Sequence, residues 1–233
     1  MTRMLSGRVV VVTGGFGAVG RALGHELRAV GARVALLDRA AQPSDVVVDD
    51  GTLLLGGVDL GVAGAPRAAL ARVIERWGGI DALVNVAGAF AWEPIAEGSL
   101  DTWDRMYAVN LRSAVAASQA VLPHLLPRGA GRIVNVGAMS ALKAGAGVGA
   151  YTASKAGVMR LTESLAEELK DKRITVNAVL PSIVDTPANR ADMPDADFSR
   201  WVSPAALARI VAFLLSDDAE PLTGACLPVA GRV

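Results

Sequence analysis

Three apolar runs, VVVVT ending at Thr13, VALLD ending at Asp38 and ALVNVAG ending at Gly88, show no alternation of polar and apolar residues. A strand exposed on one face alternates; one that does not is buried on both faces, which is the signature of a parallel sheet covered by helices. Four further runs of the same kind predict strands in all near Arg8–Thr13, Arg33–Asp38, Thr52–Gly57, Asp81–Ala87, Gly131–Val136, Thr175–Leu180 and Ala225–Val229. Between them lie amphipathic stretches that predict helices over Gly20–Val30, Ala65–Trp77, Leu100–Leu126, Tyr151–Lys170 and Pro204–Leu215. Ser203 before Pro204 has the form of an N-cap followed by proline at the first helical position. The polar stretch 39–51 is too short for a crossover helix and is read as a loop or a single turn. Strand–helix alternation throughout predicts an α/β fold of Rossmann type, a doubly wound parallel sheet flanked by helices, in one domain over 1–233.

The bulk properties narrow the function. The chain carries 23 basic and 23 acidic residues, which argues against nucleic acid or a membrane surface as partner. No apolar span approaches the roughly 20 residues of a membrane helix, and MTRMLSGR has no signal-peptide character, so a cytoplasmic location is expected. The single Cys226 rules out an internal disulfide framework, and no metal-ligand constellation is visible.

The stretch TGGFGAVG follows the first strand and opens the first helix, with Gly15, Gly17 and Gly20 in G-x-G-x-x-G spacing. Glycines there let a backbone loop of Gly14, Gly15, Phe16, Gly17, Ala18, Val19 and Gly20 approach a pyrophosphate, whose charge rests on the helix N-terminus. Asp38 ends the second strand, where an acid bonds the ribose hydroxyls of NAD and repels the extra phosphate of NADP. Arg39 beside it can pair with that phosphate, but Asp38 favours NAD(H) over NADP(H). Asp59, with Leu60 next to it, ends the third strand at the expected place for an adenine contact. Asn85, Ala87 and Gly88 end the fourth, with small residues that let a cofactor lie against the backbone. All fall at the carboxyl ends of strands, where such sheets bind ligands.

Tyr151 and Lys155, four residues apart, share one helix face. A close ammonium and a positively charged nicotinamide favour the phenolate, which makes Tyr151 a candidate proton donor and acceptor beside a hydride transfer.

Taken in order, these motifs, with Asn110 and PSIVDT (181–186), resemble the short-chain dehydrogenase/reductase family over essentially the whole chain. The resemblance implies Tyr151 as acid/base, Lys155 as the residue that orients the ribose and lowers the tyrosine's pKa, and Asn110 as holder of a relay water. It places Pro181, Ile183 and Thr186 in the cofactor site, with Thr186 bonding the nicotinamide carboxamide. It also implies a small-molecule substrate and a homodimer or homotetramer built on the two long helices. Three positions depart from the family pattern. Ala18 stands where the loop usually has its middle glycine, Ser182 follows Pro181 where glycine is usual, and Ala138 occupies the place of the catalytic serine. GGFGAVG, GAMSAL and above all AVLPSIVDTPANRADMPDADFSRW (178–201) resemble dihydropteridine reductase, a serine-less branch that takes quinonoid dihydropterins with NADH. Asn110 departs from that branch and follows the wider family.

Ala138 admits three readings. The acceptor is a conjugated imine or quinonoid ring that spreads developing charge and needs no hydroxyl; or Ser140 supplies the hydroxyl to a carbonyl site; or the chain only senses NAD(H). Around the site, Phe90 and Trp92 are expected to wall a flat substrate by stacking. Residues 183–203 are expected to cover the nicotinamide, with Trp201 facing the ligand or anchoring the segment. Arg190 there either meets an anionic substrate group or is solvated.

Overall fold

The structure is a computed structural model that describes residues 4–45 and 48–233. Met1–Arg3 of the leading segment, and Val46 and Val47 of the stretch read as a loop, lie outside the described residues.

Seven strands form one parallel sheet: β1 Val9–Thr13, β2 Arg33–Leu37, β3 Thr52–Leu55, β4 Ala82–Asn85, β5 Gly131–Val136, β6 Ile174–Pro181 and β7 Cys226–Val229. Their spatial order is β3-β2-β1-β4-β5-β6-β7, so the sheet reverses direction of growth between β1 and β4. Val12 pairs with Leu36 on one side and Val84 on the other, which fixes the register at the switch. Every predicted strand is present, most shorter by a residue or two at an end, while β6 runs one residue further at each end.

The non-alternating runs are buried for the reason their sequence gives. Val10 and Val12 of β1 join the core on the face covered by α1 (Ala18–Ala29) and α7 (Pro204–Leu214). Val9 and Val11 join the other face, under α2 (Ala65–Trp77), α4 (Ser113–Leu125) and α5 (Gly149–Leu169). Each of these four valines, shut off from water, contributes roughly 1.5–3 kcal/mol of burial. Ser203 caps α7 by accepting from the Ala206 N–H at 3.1 Å, with Pro204 at the first helical position. Gly78 ends α2 in the left-handed conformation at φ 81°.

Two elements differ from the expectation. The helix expected over Leu100–Leu126 is α3 (Leu100–Met106), a π-helical turn (Tyr107–Arg112) and α4 in series, with one wide turn holding Asn110. The segment expected to cover the nicotinamide contains a short helix, α6 (Pro187–Asp192), capped by the Thr186 hydroxyl. No helix among the described residues is long and apolar enough to cross a membrane.

Candidate active site

The carboxyl ends of β1, β2 and β4 open on a cleft of about 910 Å³. Its floor is the glycine loop. Gly14 has φ +64°, and a Cβ there would lie 2.8 Å from the backbone of Ala87; one on Gly15 would lie 2.6 Å from the Leu36 side chain, and one on Gly20 would collide with the Gly14 carbonyl. These three glycines let the loop and α1 close on each other, on β2 and on the segment that follows β4. Gly17 is different, since a Cβ there would meet nothing nearer than the Gly14 carbonyl oxygen at 3.6 Å. The protein's own packing leaves that space free, on the side where Gly17, Ala18 and Val19 line the cleft. Gly17 caps α1 without a side-chain hydrogen bond, so the first N–H groups of the helix are left for a ligand. This cradle fits a dinucleotide pyrophosphate.

Asp38 is fixed at the cleft edge. Its Oδ2 accepts from Phe16 N–H at 3.0 Å and its Oδ1 from Ala40 N–H at 3.0 Å. Arg39, exposed beside it, lines the cleft and has no ion-pair partner among the described residues. Asp59, Leu60 and Val62 form the next stretch of wall, with Asp59 held by Gly61 N–H at 2.8 Å. Thr13 Oγ1 accepts from Val86 N–H (3.1 Å) and Ala87 N–H (3.2 Å), so the end of β4 is tied to the end of β1. Val86, Ala87 and Gly88 line the cleft, and Thr186 faces them while its Oγ1 accepts from Asn189 N–H.

Other expected cofactor residues engage the body of the fold. Asn85 is buried and turned into the layer between sheet and helices, where its Nδ2 donates to Asn135 Oδ1 at 2.9 Å and Ser118 Oγ at 3.3 Å. Pro181 is buried at the end of β6, and Ile183 uses its carbonyl to accept from Val202 N–H at 2.9 Å. None of the three lines the cleft, and neither do Gly15, Phe16, Tyr151 and Lys155. Arg105 on α3 and Ser113 on α4 do line it.

The reactive pair lies at the start of α5. Lys155 is 5% exposed and its Nζ donates to the Val136 carbonyl at 2.7 Å. Burial pushes its pKa down to about 8. Tyr151 is half-buried, with the Phe90 ring edge-on at 5.0 Å and 71°. Burial pushes its phenol up to about 12. The expected depression of the phenol is therefore not a property of the protein alone: desolvation dominates, because the ammonium is itself desolvated and directed at a carbonyl.

Asn110 is 1% exposed and holds the loop after β4, accepting from Ala89 N–H at 2.9 Å and donating to the Ala89 carbonyl at 3.1 Å. Ala138 is buried, in extended backbone that leads into the short turn Met139–Ala141. Ser140 sits half-buried within that turn, and among the described residues no hydrogen bond joins it to Tyr151 or Lys155. The position of the family serine thus presents a methyl group. Phe90 and Trp92 are exposed; the Trp92 indole donates to the Ala146 carbonyl at 3.1 Å and lies against Gly147, where a side chain would collide with it.

Trp201, expected either to face the ligand or to anchor the segment, is buried and packs against Phe198 with ring centroids 4.8 Å apart and planes tilted by 51°. Arg190 stands over the same Phe198 ring and pairs with Asp185 at 2.6 and 2.8 Å. These contacts, with the bridge between Val184 and Val202, anchor the 183–203 segment to the body. Both side chains serve that anchor and neither lines the cleft. Ser154, which sequence reasoning passes over, is buried between Asn110 and Tyr151. Its signal is its spacing: i+3 from Tyr151, so that it neighbours the tyrosine on the helix surface.

Comparison with known proteins agrees with this geometry. Residues 8–197 match the family model described as short chain dehydrogenase. The chain is 34% identical over 246 residues to 4-formylbenzenesulfonate dehydrogenase TsaC1/TsaC2 of Comamonas testosteroni, covering 97% of this chain and 98% of that protein. It is 30% identical over 240 residues to 3-oxoacyl-[acyl-carrier-protein] reductase FabG of Thermotoga maritima, covering 97% and 98%. Among solved structures it is similar to 3-ketoacyl-(acyl-carrier-protein) reductase from Brucella melitensis complexed with NADH, at TM-score 0.90 and 27% identity over 98% of this chain and 99% of that one. Carveol dehydrogenase from Mycobacterium avium in complex with NAD superimposes at TM-score 0.86 and 26% identity, over 98% of each chain. With a seven-stranded Rossmann-type sheet, a nicotinamide-dinucleotide cleft and a match of this extent, the chain is an oxidoreductase belonging to the short-chain dehydrogenase family.

Proposed function

We propose that this protein is an NAD(H)-dependent oxidoreductase acting on a small, flat acceptor, a carbonyl or a conjugated imine, with Tyr151 as the proton-transfer group. A bound nicotinamide supplies the hydride-exchanging carbon. The residues of the chain do the rest. Asp38 carries a fixed carboxylate to the ribose end of the cleft, where it favours NAD(H) by repelling a 2′-phosphate. Tyr151 holds its proton in the protein alone; a positive charge brought close to it favours loss of that proton, and this places the phenol's working range nearer neutrality. Lys155, one turn along the same helix and still protonated at neutral pH with a pKa of about 8, adds its own positive charge beside the phenol.

Ala138 carries the reading of the acceptor. A buried methyl stands where the family places a hydroxyl, and Ser140 forms no bond to Tyr151. A substrate that spreads the developing charge over its own ring needs that donor least. Phe90, T-shaped to Tyr151 and 57% exposed, offers aromatic surface on which such a ring can stack. The name of the 4-formylbenzenesulfonate dehydrogenase relative, whose substrate is an aryl carbonyl compound, supports a flat conjugated substrate too. A dihydropteridine-reductase-like activity is the most specific form of this reading. NADH oxidation with quinonoid dihydropterin, aryl aldehydes and aliphatic ketones tests it: the expected order of turnover is conjugated acceptors first, and faster aliphatic ketone reduction would sink it. Micromolar NADH binding with no turnover on any acceptor would make the protein an NAD(H) sensor instead.

The same reading includes self-association as a homodimer or homotetramer. Leu100, Trp103 and Tyr107 expose apolar surface on α3 and the π turn. Sedimentation velocity tests this, with a monomer as the contrary result.

A further inference from the structure

Tyr151 and Phe90 are connected twice: once through their rings, and once through a buried chain of hydrogen bonds. Ala89, next to Phe90, donates its N–H to Asn110 Oδ1 at 2.9 Å and accepts at its carbonyl from Asn110 Nδ2 at 3.1 Å. The same Nδ2 donates to Ser154 Oγ at 2.9 Å. Ser154 in turn donates its hydroxyl to the Tyr151 carbonyl at 2.6 Å. Ser154 is 4% exposed, so water does not stand in for any of its bonds.

Within this circuit Ser154 is the one group that both accepts and donates through a single atom. Asn110 gives both ends of its amide to Ala89, so what holds that amide to α5 is the second N–H, directed at Ser154. The fit allows little slack, since a Cβ on Gly88 would lie 2.6 Å from Asn110 Oδ1. The loop that carries Phe90 is thus registered on the helix turn that carries Tyr151.

We propose that Ser154 is a positioning residue that locks the Phe90 wall against Tyr151 and so sets where a planar acceptor lies relative to the phenol. The lock rests on the reading of Phe90 as a substrate wall given above. In Ser154→Ala one buried N–H of Asn110 loses its partner and the amide is free to turn away from Ala89.

Hydrogen exchange on the NADH-loaded protein reads the lock without turnover. Loss of one such bond is expected to speed exchange across residues 88–92 about tenfold, with the β4 and β5 amides unchanged. With quinonoid dihydropterin and an aryl aldehyde as acceptors, Ser154→Ala should raise KM roughly tenfold, while NADH affinity stays within about twofold. Phe90→Ala should do the same, and the double variant should be no worse than Phe90→Ala alone, because Ser154 acts through Phe90. Ser154→Thr, which keeps the hydroxyl, should restore both readouts. Faster exchange confined to α5, additive KM effects, or NADH affinity falling in step with acceptor affinity would each overturn the lock. An unchanged KM in Phe90→Ala would overturn the wall reading, and exchange at residues 88–92 then decides the lock alone.

Discussion

Lys155 Nζ lies 2.7 Å from the Val136 carbonyl oxygen, in a site that leaves the residue 5% exposed. A single neutral acceptor compensates a buried ammonium poorly, and the pKa falls from 10.5 to about 8. In the unfolded chain the same amine keeps its proton up to 10.5, so between these values the unfolded state binds more protons. Unfolding free energy must then rise with pH in this window. Tyr151 acts oppositely, because its pKa is raised from 10.0 to about 12, so stability is lost again as pH climbs through that range. Each tenfold change in an ionisation constant is worth ~1.4 kcal/mol. The cofactor-free protein is therefore expected to gain up to about 2–3 kcal/mol between pH 8 and 10 and to lose stability above that. Urea unfolding at a series of pH values measures it. In Lys155→Met the rise should vanish, and a wild-type curve flat from pH 8 to 10 would contradict the assigned burial.

Tyr151→Phe keeps the ring, its contact with Phe90 and its burial, and removes only the hydroxyl that carries the proton. Positioned acid–base groups contribute about 10²–10⁴ in rate, so kcat should fall by that factor with NADH affinity unchanged. Pre-steady-state NADH oxidation separates the two. Turnover at the wild-type rate would remove the tyrosine from the mechanism.

Asp38 owes its place to two backbone N–H groups, Phe16 and Ala40, which fix its carboxylate at the cleft edge. Asp38→Ser removes the charge and leaves Arg39 unopposed beside it. The ratio of kcat/KM for NADH over NADPH should drop ~10–100-fold, corresponding to about 1.4–3 kcal/mol of lost discrimination. A ratio that does not move would mean that cofactor choice is made elsewhere.

Much of the architecture was legible because burial on both faces writes itself into the strands. The run Gly131–Val136 and the helix Ala65–Trp77 match the structure to the residue. The glycine loop was legible too, since Gly14, Gly15 and Gly20 are each demanded by a steric contact. The illegible parts are those where one residue serves two layers. A π turn adds a residue to a helix without altering its apolar pattern, so the wide turn around Asn110 left no trace in the periodicity. Asn85 and Trp201 are residue types found at ligand sites and in cores alike. Here Asn85 pairs with Asn135, a partner far away in sequence, and Trp201 packs against Phe198. The raised phenol of Tyr151 was also out of reach, because desolvation depends on what the fold places around a side chain.

Ala138 offers the sharpest test of the acceptor. Its backbone is extended at φ −159°, a conformation open to any residue, so Ala138→Ser adds one oxygen to a buried position without backbone strain. If simple carbonyls lack only this donor, the substitution should raise aliphatic ketone reduction by about 10²–10³, the usual worth of one such hydroxyl or amide at a developing oxyanion. Reduction of a quinonoid ring should change little, since its charge is already delocalised. The two rates together distinguish the alternatives. Should Ser140 be the working donor, Ala138→Ser gains nothing and Ser140→Ala loses the activity instead. Should the added oxygen merely overfill the pocket, both acceptors slow alike and thermal stability drops, by roughly 1–3 kcal/mol for a strained core insertion. A selective gain for ketones, with the conjugated acceptor unmoved, is the outcome that a methyl in place of the hydroxyl predicts.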